Sequence, residues 1–199
     1  LVNPRDHDPV AMLEGLVDSG YRGVRFNPAL WSPQEPMDGD VGRSLYSRAG
    51  ELDITVGFLV GPSHYDAIEA LADEFPRTRA IVDHFGHCVP VSDGSPVPEF
   101  DRLISMSRHP NLYVKLSEFP RASNNNFPYT DLFGWVHRLI DSYSADRLMW
   151  GTDFPFIVEQ VGYSRGWEIA DLIEPAIDPV SLKKILGGTC ESLFGTWGG

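Results

Sequence analysis

At 199 residues, with 16 lysines and arginines against 28 aspartates and glutamates, the chain carries a formal charge of −12. That leaves no cationic surplus to neutralise phosphates and argues against a nucleic-acid or anionic-membrane partner. Its two cysteines, Cys88 and Cys190, make neither a disulfide framework nor CxxC zinc spacing and fit a reducing cytoplasm, and no apolar run approaches the roughly 20 residues a membrane helix requires.

The chain opens on Leu1-Val2 before Asn3-Pro4, which reads as the tail of a strand whose beginning is absent. Asp8 then offers a cap and Pro9 a first helical position. Met12, Leu13, Leu16 and Val17 mark one face of a helix expected from Pro9 to Ser19, ended by Gly20. Gly23 to Phe26 is β-compatible, and Asn27-Pro28 stops it. A loop rich in Pro, Gly and Asp leads to a helix expected from Val41 to Glu51, then to an apolar strand from Thr55 to Val60. Ser63 is placed to cap a helix carrying Tyr65, Ile68, Leu71, Ala72 and Phe75 at helical spacing. The strand Ala80-Ile81-Val82 follows and runs straight into Asp83-His84-Phe85-Gly86-His87. A helix from about Glu99 turns Phe100, Leu103 and Ile104 inward, and Leu112 to Leu116 is the next strand. After a helix through Leu132, Val136, Leu139 and Tyr143, the strand Leu148-Met149-Trp150 delivers Asp153 just past Gly151. Helices over Trp167–Ile173 and Pro179–Leu186, the second closed by Gly187-Gly188, precede a short helix from Thr189 that buries Leu193 and Phe194.

Strand and helix alternate without hairpin signals, which predicts a parallel sheet wrapped by helices in one domain over residues 1–199. With Leu1-Val2 counted, six strands are expected. An eight-stranded barrel takes about 250 residues, so the expectation is a (β/α)8 TIM-barrel type with about six of eight strand-helix units, truncated at its N-terminus. An open doubly wound sheet is the alternative arrangement, but its GxGxxG phosphate turn is missing.

Four strand ends are expected to bring polar groups to one rim: Arg25; Asp83 with His84 and His87; Lys115 with Ser117; and Asp153. Each has a plainer alternative. Asp153 could cap the turn before Phe154-Pro155, His84 could be a core histidine, His87 a solvated rim residue, and Arg25 the partner of a neighbouring acid. Lys115 faces either the barrel interior or the helices, and period-two alternation does not say which. The set suits hydrolysis. A strand-end carboxylate deprotonates a water or holds one on a metal, an imidazole orients it, and Arg and Lys groups bind a carboxylate or a developing oxyanion. There is no GxSxG elbow, His-x-His or HExxH.

Gly20-Tyr21-Arg22-Gly23-Val24-Arg25-Phe26-Asn27, Val82-Asp83-His84-Phe85-Gly86, Asn111-Leu112-Tyr113-Val114-Lys115-Leu116-Ser117 and Asp146-Arg147-Leu148-Met149-Trp150-Gly151-Thr152-Asp153-Phe154-Pro155 resemble successive strand motifs of the amidohydrolase-related branch of the amidohydrolase superfamily. The style is closest to its sugar-lactone and pyrone-dicarboxylate lactonases. The resemblance implies a (β/α)8 barrel in which Asp153 is the strand-eight base or metal ligand and His84 the strand-six histidine beside the reactive water. Arg25 and Arg121 would hold substrate carboxylate or carbonyl groups. Two features depart from the pattern: the strand-one His-x-His pair is missing, and Leu59-Val60-Gly61 lacks the strand-five histidine of metal-dependent members, with His64 too far along to replace it. A zinc-like divalent metal would then have only Asp153 and His84 from this chain, fewer than the three protein ligands of a catalytic zinc site. Some lactonases of this branch work without a metal.

The function expected is therefore a cytoplasmic, lactonase-like hydrolase of a small carboxylated or sugar-derived compound. Asp153 and His84 are its catalytic groups, and Arg25, Lys115 and Arg121 its substrate-binding groups. A metal-dependent carboxy-lyase of the same superfamily and a non-catalytic truncated barrel are the rival readings. Trp31, Trp135, Trp167 and Trp197, where exposed, would suit a homo-oligomer contact.

Overall fold

The computed structural model describes residues 1–173 and 177–196. Its centre is one sheet of five parallel strands in sequential order: β1 (Gly23–Phe26), β2 (Thr55–Phe58), β3 (Ala80–Val82), β4 (Leu112–Leu116) and β5 (Leu148–Trp150). The register runs Arg25 beside Gly57, Gly57 beside Ile81, Ile81 beside Tyr113 and Lys115 beside Met149. The sheet is open: among the described residues β1 pairs only with β2, and β5 only with β4. Among the described residues five strands, not six, are therefore present. Leu1 and Val2 belong to no strand, although Val2 is buried in the core; its apolarity serves packing without any ladder bond.

Helices α1 (Pro9–Asp18), α2 (Asp40–Glu51), α3 (Tyr65–Glu74), α4 (Pro98–Ser105), α5 (Phe119–Ala122) and α6 (Phe133–Tyr143) alternate with the strands. Beyond β5 come α7 (Phe156–Gln160), α8 (Tyr163–Ile173), α9 (Pro179–Lys183), a π-helical turn at Lys184–Gly188 and α10 (Thr189–Phe194). Asp8 caps α1 by accepting from the Ala11 amide, and Pro9 occupies the first turn, where its missing N–H costs nothing. Ser63, in contrast, is not the cap of α3. It lies inside a 3-10 turn, Pro62–His64, and His64 precedes the helix without a side-chain cap. Gly187 and Gly188 likewise sit within the π turn and do not end a helix.

The main core fills the space between the sheet's convex face and the helices. It joins Val24, Phe26, Val56, Phe58, Val82, Val114 and Leu148 to Tyr46, Tyr65, Ile68, Leu71, Phe100, Leu103, Val136 and Leu139. A smaller cluster of Ile81, Met149 and Leu193, with Tyr113 and Phe194 against it, lies on the concave face and places α10 there. Alternation along β4 thus resolves the Lys115 question: Leu112, Val114 and Leu116 face the helices, while Tyr113 and Lys115 face the concavity. Arg147 anchors the start of β5 by donating to the carbonyls of Tyr143 (3.0 Å), Ser107 (3.0 Å) and His109 (2.9 Å). No helix among the described residues is long and apolar enough to cross a membrane. Of the tryptophans, Trp31 and Trp135 pack against the core, Trp167 is exposed, and Trp197 lies outside the described residues.

Candidate active site

The carboxyl ends of the strands converge on a cleft of about 450 Å³ whose lining includes Arg25, His84, His87, Glu118, Arg121 and Asp153. Below it, Asp83 is 1% exposed and sits between two cations, with Arg25 Nε 3.2 Å from Oδ2 and Lys115 Nζ 2.6 Å from Oδ1. Neither Asp83 oxygen has hydrogen-bond alignment, so the pairing is principally charge to charge. Gly57 beside Arg25 and Gly151 beside Lys115 keep the flanking positions free of side chains.

Asp153 and His84 meet at this mouth, with His84 Nε2 3.7 Å from Asp153 Oδ1. One water can hydrogen-bond to both. The other ring nitrogen, Nδ1, lies 2.8 Å from Ser117 Oγ. When the hydroxyl donates there, Nε2 carries the proton and faces the carboxylate. Burial pushes the His84 imidazole down to about 4, against attraction from Asp83 and Asp153, and burial also lowers His87. Both rings are neutral at neutral pH. Glu118 is raised, again by burial, although Arg121 Nη1 lies 2.6 Å from its Oε1 and opposes the shift.

These groups are held on an unusual backbone. His84, Phe85, Gly86 and His87 all have positive φ, at 53°, 51°, 64° and 55°, forming one left-handed turn. Such a turn costs L-residues on the order of 1–2 kcal/mol each, and it brings residues three apart onto one side. The His84 and His87 rings consequently lie 5.3 Å apart. Glu118 and Asp153 are also left-handed, at 63° and 59°. Four residues of one cleft in a sparsely populated conformation mark a site whose geometry the surrounding fold imposes.

The residues expected from sequence separate into two layers. Asp153, His84 and Arg121 surround the cleft directly. Lys115 is tied to Asp83 beneath it, while Arg25 touches both layers through its position in the cleft and its pair with Asp83. His87 is not simply a solvated rim residue: its side chain is one-third exposed, and its Nε2 is sealed without a partner. Glu118 is absent from the expected set, since a glutamate one position after Ser117 reads as a loop residue; its proximity to a strand end is the available signal. His64 bonds Ser63 and lines a separate pocket beside Trp31. For a metal, Asp153 and His84 remain only two donors. His84, His87 and Glu118 each offer a ligand atom within 4.8 Å of the others, a His2Glu set of the chemistry that binds zinc.

Residues 1–196 match the family model described as Amidohydrolase. The chain is 33% identical over 151 residues to 4-sulfomuconolactone hydrolase of Hydrogenophaga intermedia, covering 72% of this chain and 46% of that protein. It is 31% identical over 141 residues to L-fucono-1,5-lactonase of Burkholderia ambifaria, covering 69% and 47%. The chain thus matches about half the length of these curated relatives. Among solved structures, a Pseudomonas putida protein described as a candidate 2-pyrone-4,6-dicarboxylic acid hydrolase superposes with a TM-score of 0.78 at 26% identity, over 96% of this chain and 69% of that one. A zinc-bound amidohydrolase of Burkholderia multivorans superposes with a TM-score of 0.77 at 16% identity, over 94% and 71%, a likeness of fold.

Proposed function

This chain belongs to the amidohydrolase family, and from that premise we propose that it acts as a hydrolase that opens the ring of a small carboxylated or sugar-derived lactone. The observation that carries the reading is the 3.7 Å approach of His84 Nε2 to Asp153 Oδ1 at a mouth flanked by two guanidinium groups. Names of the relatives, each a lactone-cleaving hydrolase, support the same class.

In this mechanism Asp153 takes a proton from a water that neutral His84 orients, and the oxygen attacks the lactone carbonyl. Arg25 and Arg121 steady the oxyanion or bind a carboxylate on the ring, and Lys115 fixes the buried Asp83 that holds Arg25 in place. As the ring C–O bond breaks, the proton held by Asp153 passes to the leaving alkoxide, giving a hydroxy acid. A zinc-like divalent ion, where bound, would polarise the carbonyl, but Asp153 and His84 alone are too few donors to hold it. The substrate is the only partner this requires. Two free cysteines, Cys88 buried and Cys190 exposed, support a cytoplasmic setting.

The test is hydrolysis of a panel of sugar lactones and carboxylated muconolactones and pyrones, followed by acid release. Asp153→Asn is expected to lower turnover by about 10²–10⁴-fold. Turnover equal to wild type in that variant, or no lactone opened above background, rejects the reading.

A further inference from the structure

We infer that His84, His87 and Glu118 form a divalent transition-metal site that uses Nδ1 of His84 and leaves its Nε2 toward Asp153. The inference concerns ion binding and stands whether or not lactones are the substrate.

Three observations carry it. First, the left-handed turn sets the two imidazoles side by side, at nearly a right angle of 86° with ring centres 5.3 Å apart. An extended exit from β3 would send residues 84 and 87 apart, and the turn is held although three of its four members are not glycine. Second, Glu118 Oε2 lies 4.0 Å from Nδ1 of both histidines. That is too long for a hydrogen bond. It is close to the spacing of donors around one ion: bonds of about 2.1 Å at tetrahedral angles place ligand atoms roughly 3.4 Å apart. For these two pairs, closing the difference needs a shift of about half an ångström, and all three ligand atoms lie within 4.8 Å of one another. Third, the second Glu118 oxygen, Oε1, is fixed by Arg121 at 2.6 Å, which orients the carboxylate as outer-layer partners orient metal ligands. Among the described residues, this is the one group of three histidine, cysteine or acidic side chains whose ligand atoms converge so closely.

The donor set is also chemically selective. Two imidazoles and one carboxylate suit zinc or cobalt(II), whereas the all-oxygen preference of magnesium and calcium is not met. The competing bond is that of Ser117 Oγ to His84 Nδ1 at 2.8 Å, which the ion would replace. Three protein ligands leave a fourth position open toward the cleft.

The test is titration of the chelator-stripped chain with Co2+, read by its visible absorption, and with Zn2+ by calorimetry. One equivalent is expected to bind. His87→Asn and Glu118→Gln, each checked for folding by circular dichroism, are expected to weaken affinity at least about tenfold. Asp153→Asn is expected to keep the Co2+ spectrum. The inference is overturned if the folded wild type binds neither ion. It is equally overturned if Asp153→Asn abolishes binding while His87→Asn and Glu118→Gln leave it intact, which would place the ion on Asp153 and His84. A lactonase lacking Co2+ affinity would reject this inference alone; Co2+ binding without lactone turnover would reject only the hydrolase reading.

Discussion

Gly86→Ala is the substitution on which the left-handed turn stands or falls. At φ 64° an alanine cannot relax, and its Cβ would overlap the Tyr65 hydroxyl. That hydroxyl donates to the Gly86 carbonyl at 2.9 Å from a fully buried ring. The backbone conformation costs alanine roughly 1–2 kcal/mol. Displacing a packed tyrosine adds about 1–3 kcal/mol, and losing the hydrogen bond about 1 kcal/mol. Against these, the stiffer unfolded chain returns at most about 1 kcal/mol. The sum, about 2–5 kcal/mol, is a large share of a typical total of about 5–15. Tyr65→Phe provides the control. It removes the overlapping atom and leaves the Gly86 carbonyl short of a donor, costing about 1–3 kcal/mol alone. In a urea double-mutant cycle, Gly86→Ala should cost about 1–3 kcal/mol less when combined with Tyr65→Phe than in wild type. Additive costs, or a Gly86→Ala penalty under about 1 kcal/mol, would refute the idea that this turn is packed into its shape.

Three further outcomes follow from the buried groups. His84 sits at about 4 in the folded chain against an ordinary 6.5, so its neutral form is favoured by folding. The stability this gives is fully present above pH 6.5 and is lost as pH falls toward 4, on the order of 3 kcal/mol in metal-free protein; His84→Gln should flatten the pH dependence of urea midpoints across that window. Burial pushes the Cys88 thiol up to about 11, so a thiol reagent at pH 8 should titrate one sulfur per folded chain, Cys190, and two after unfolding. Asp83→Asn leaves Arg25 and Lys115 facing a neutral amide and should lower stability by about 1–3 kcal/mol, the partial exposure of Arg25 keeping the cost modest. Adding Lys115→Met should recover part of that loss in chemical denaturation.

Much of the architecture is legible in the sequence because the strands are short apolar runs interrupted abruptly. Gly23–Phe26, Leu112–Leu116 and Leu148–Trp150 begin and end where their composition changes. Thr55 to Val60 reads two residues too long, since the strand ends at Phe58: Leu59 still donates its amide to the Phe26 carbonyl, but Val60 is apolar for burial alone. Apolarity reports burial, not pairing, and the same confusion makes a strand of Leu1-Val2. At the site, Asp153 and His84 can be found because each follows a strand directly. Glu118 cannot, because nothing local marks a glutamate as buried. The left-handed turn is hidden as well: Gly86 is its only glycine, and His84, Phe85 and His87 carry no bias toward positive φ strong enough to announce it. The role of Lys115 requires its neighbours, since only the third dimension supplies Asp83 as its partner.

The acid held between Arg25 and Lys115 has a consequence for recognition. An incoming carboxylate meets a guanidinium whose Nε already faces a resident anion, so it must engage the remaining edge or compete for the cation outright. Ligand affinity here is then an exchange of counter-ions, with the interior acid as a built-in rival. Small anions that bring only charge gain little from such an exchange. A molecule that also spans to Arg121, itself paired with Glu118, exchanges against both acids at once and gains a bridge between the two guanidinium groups that neither acid provides.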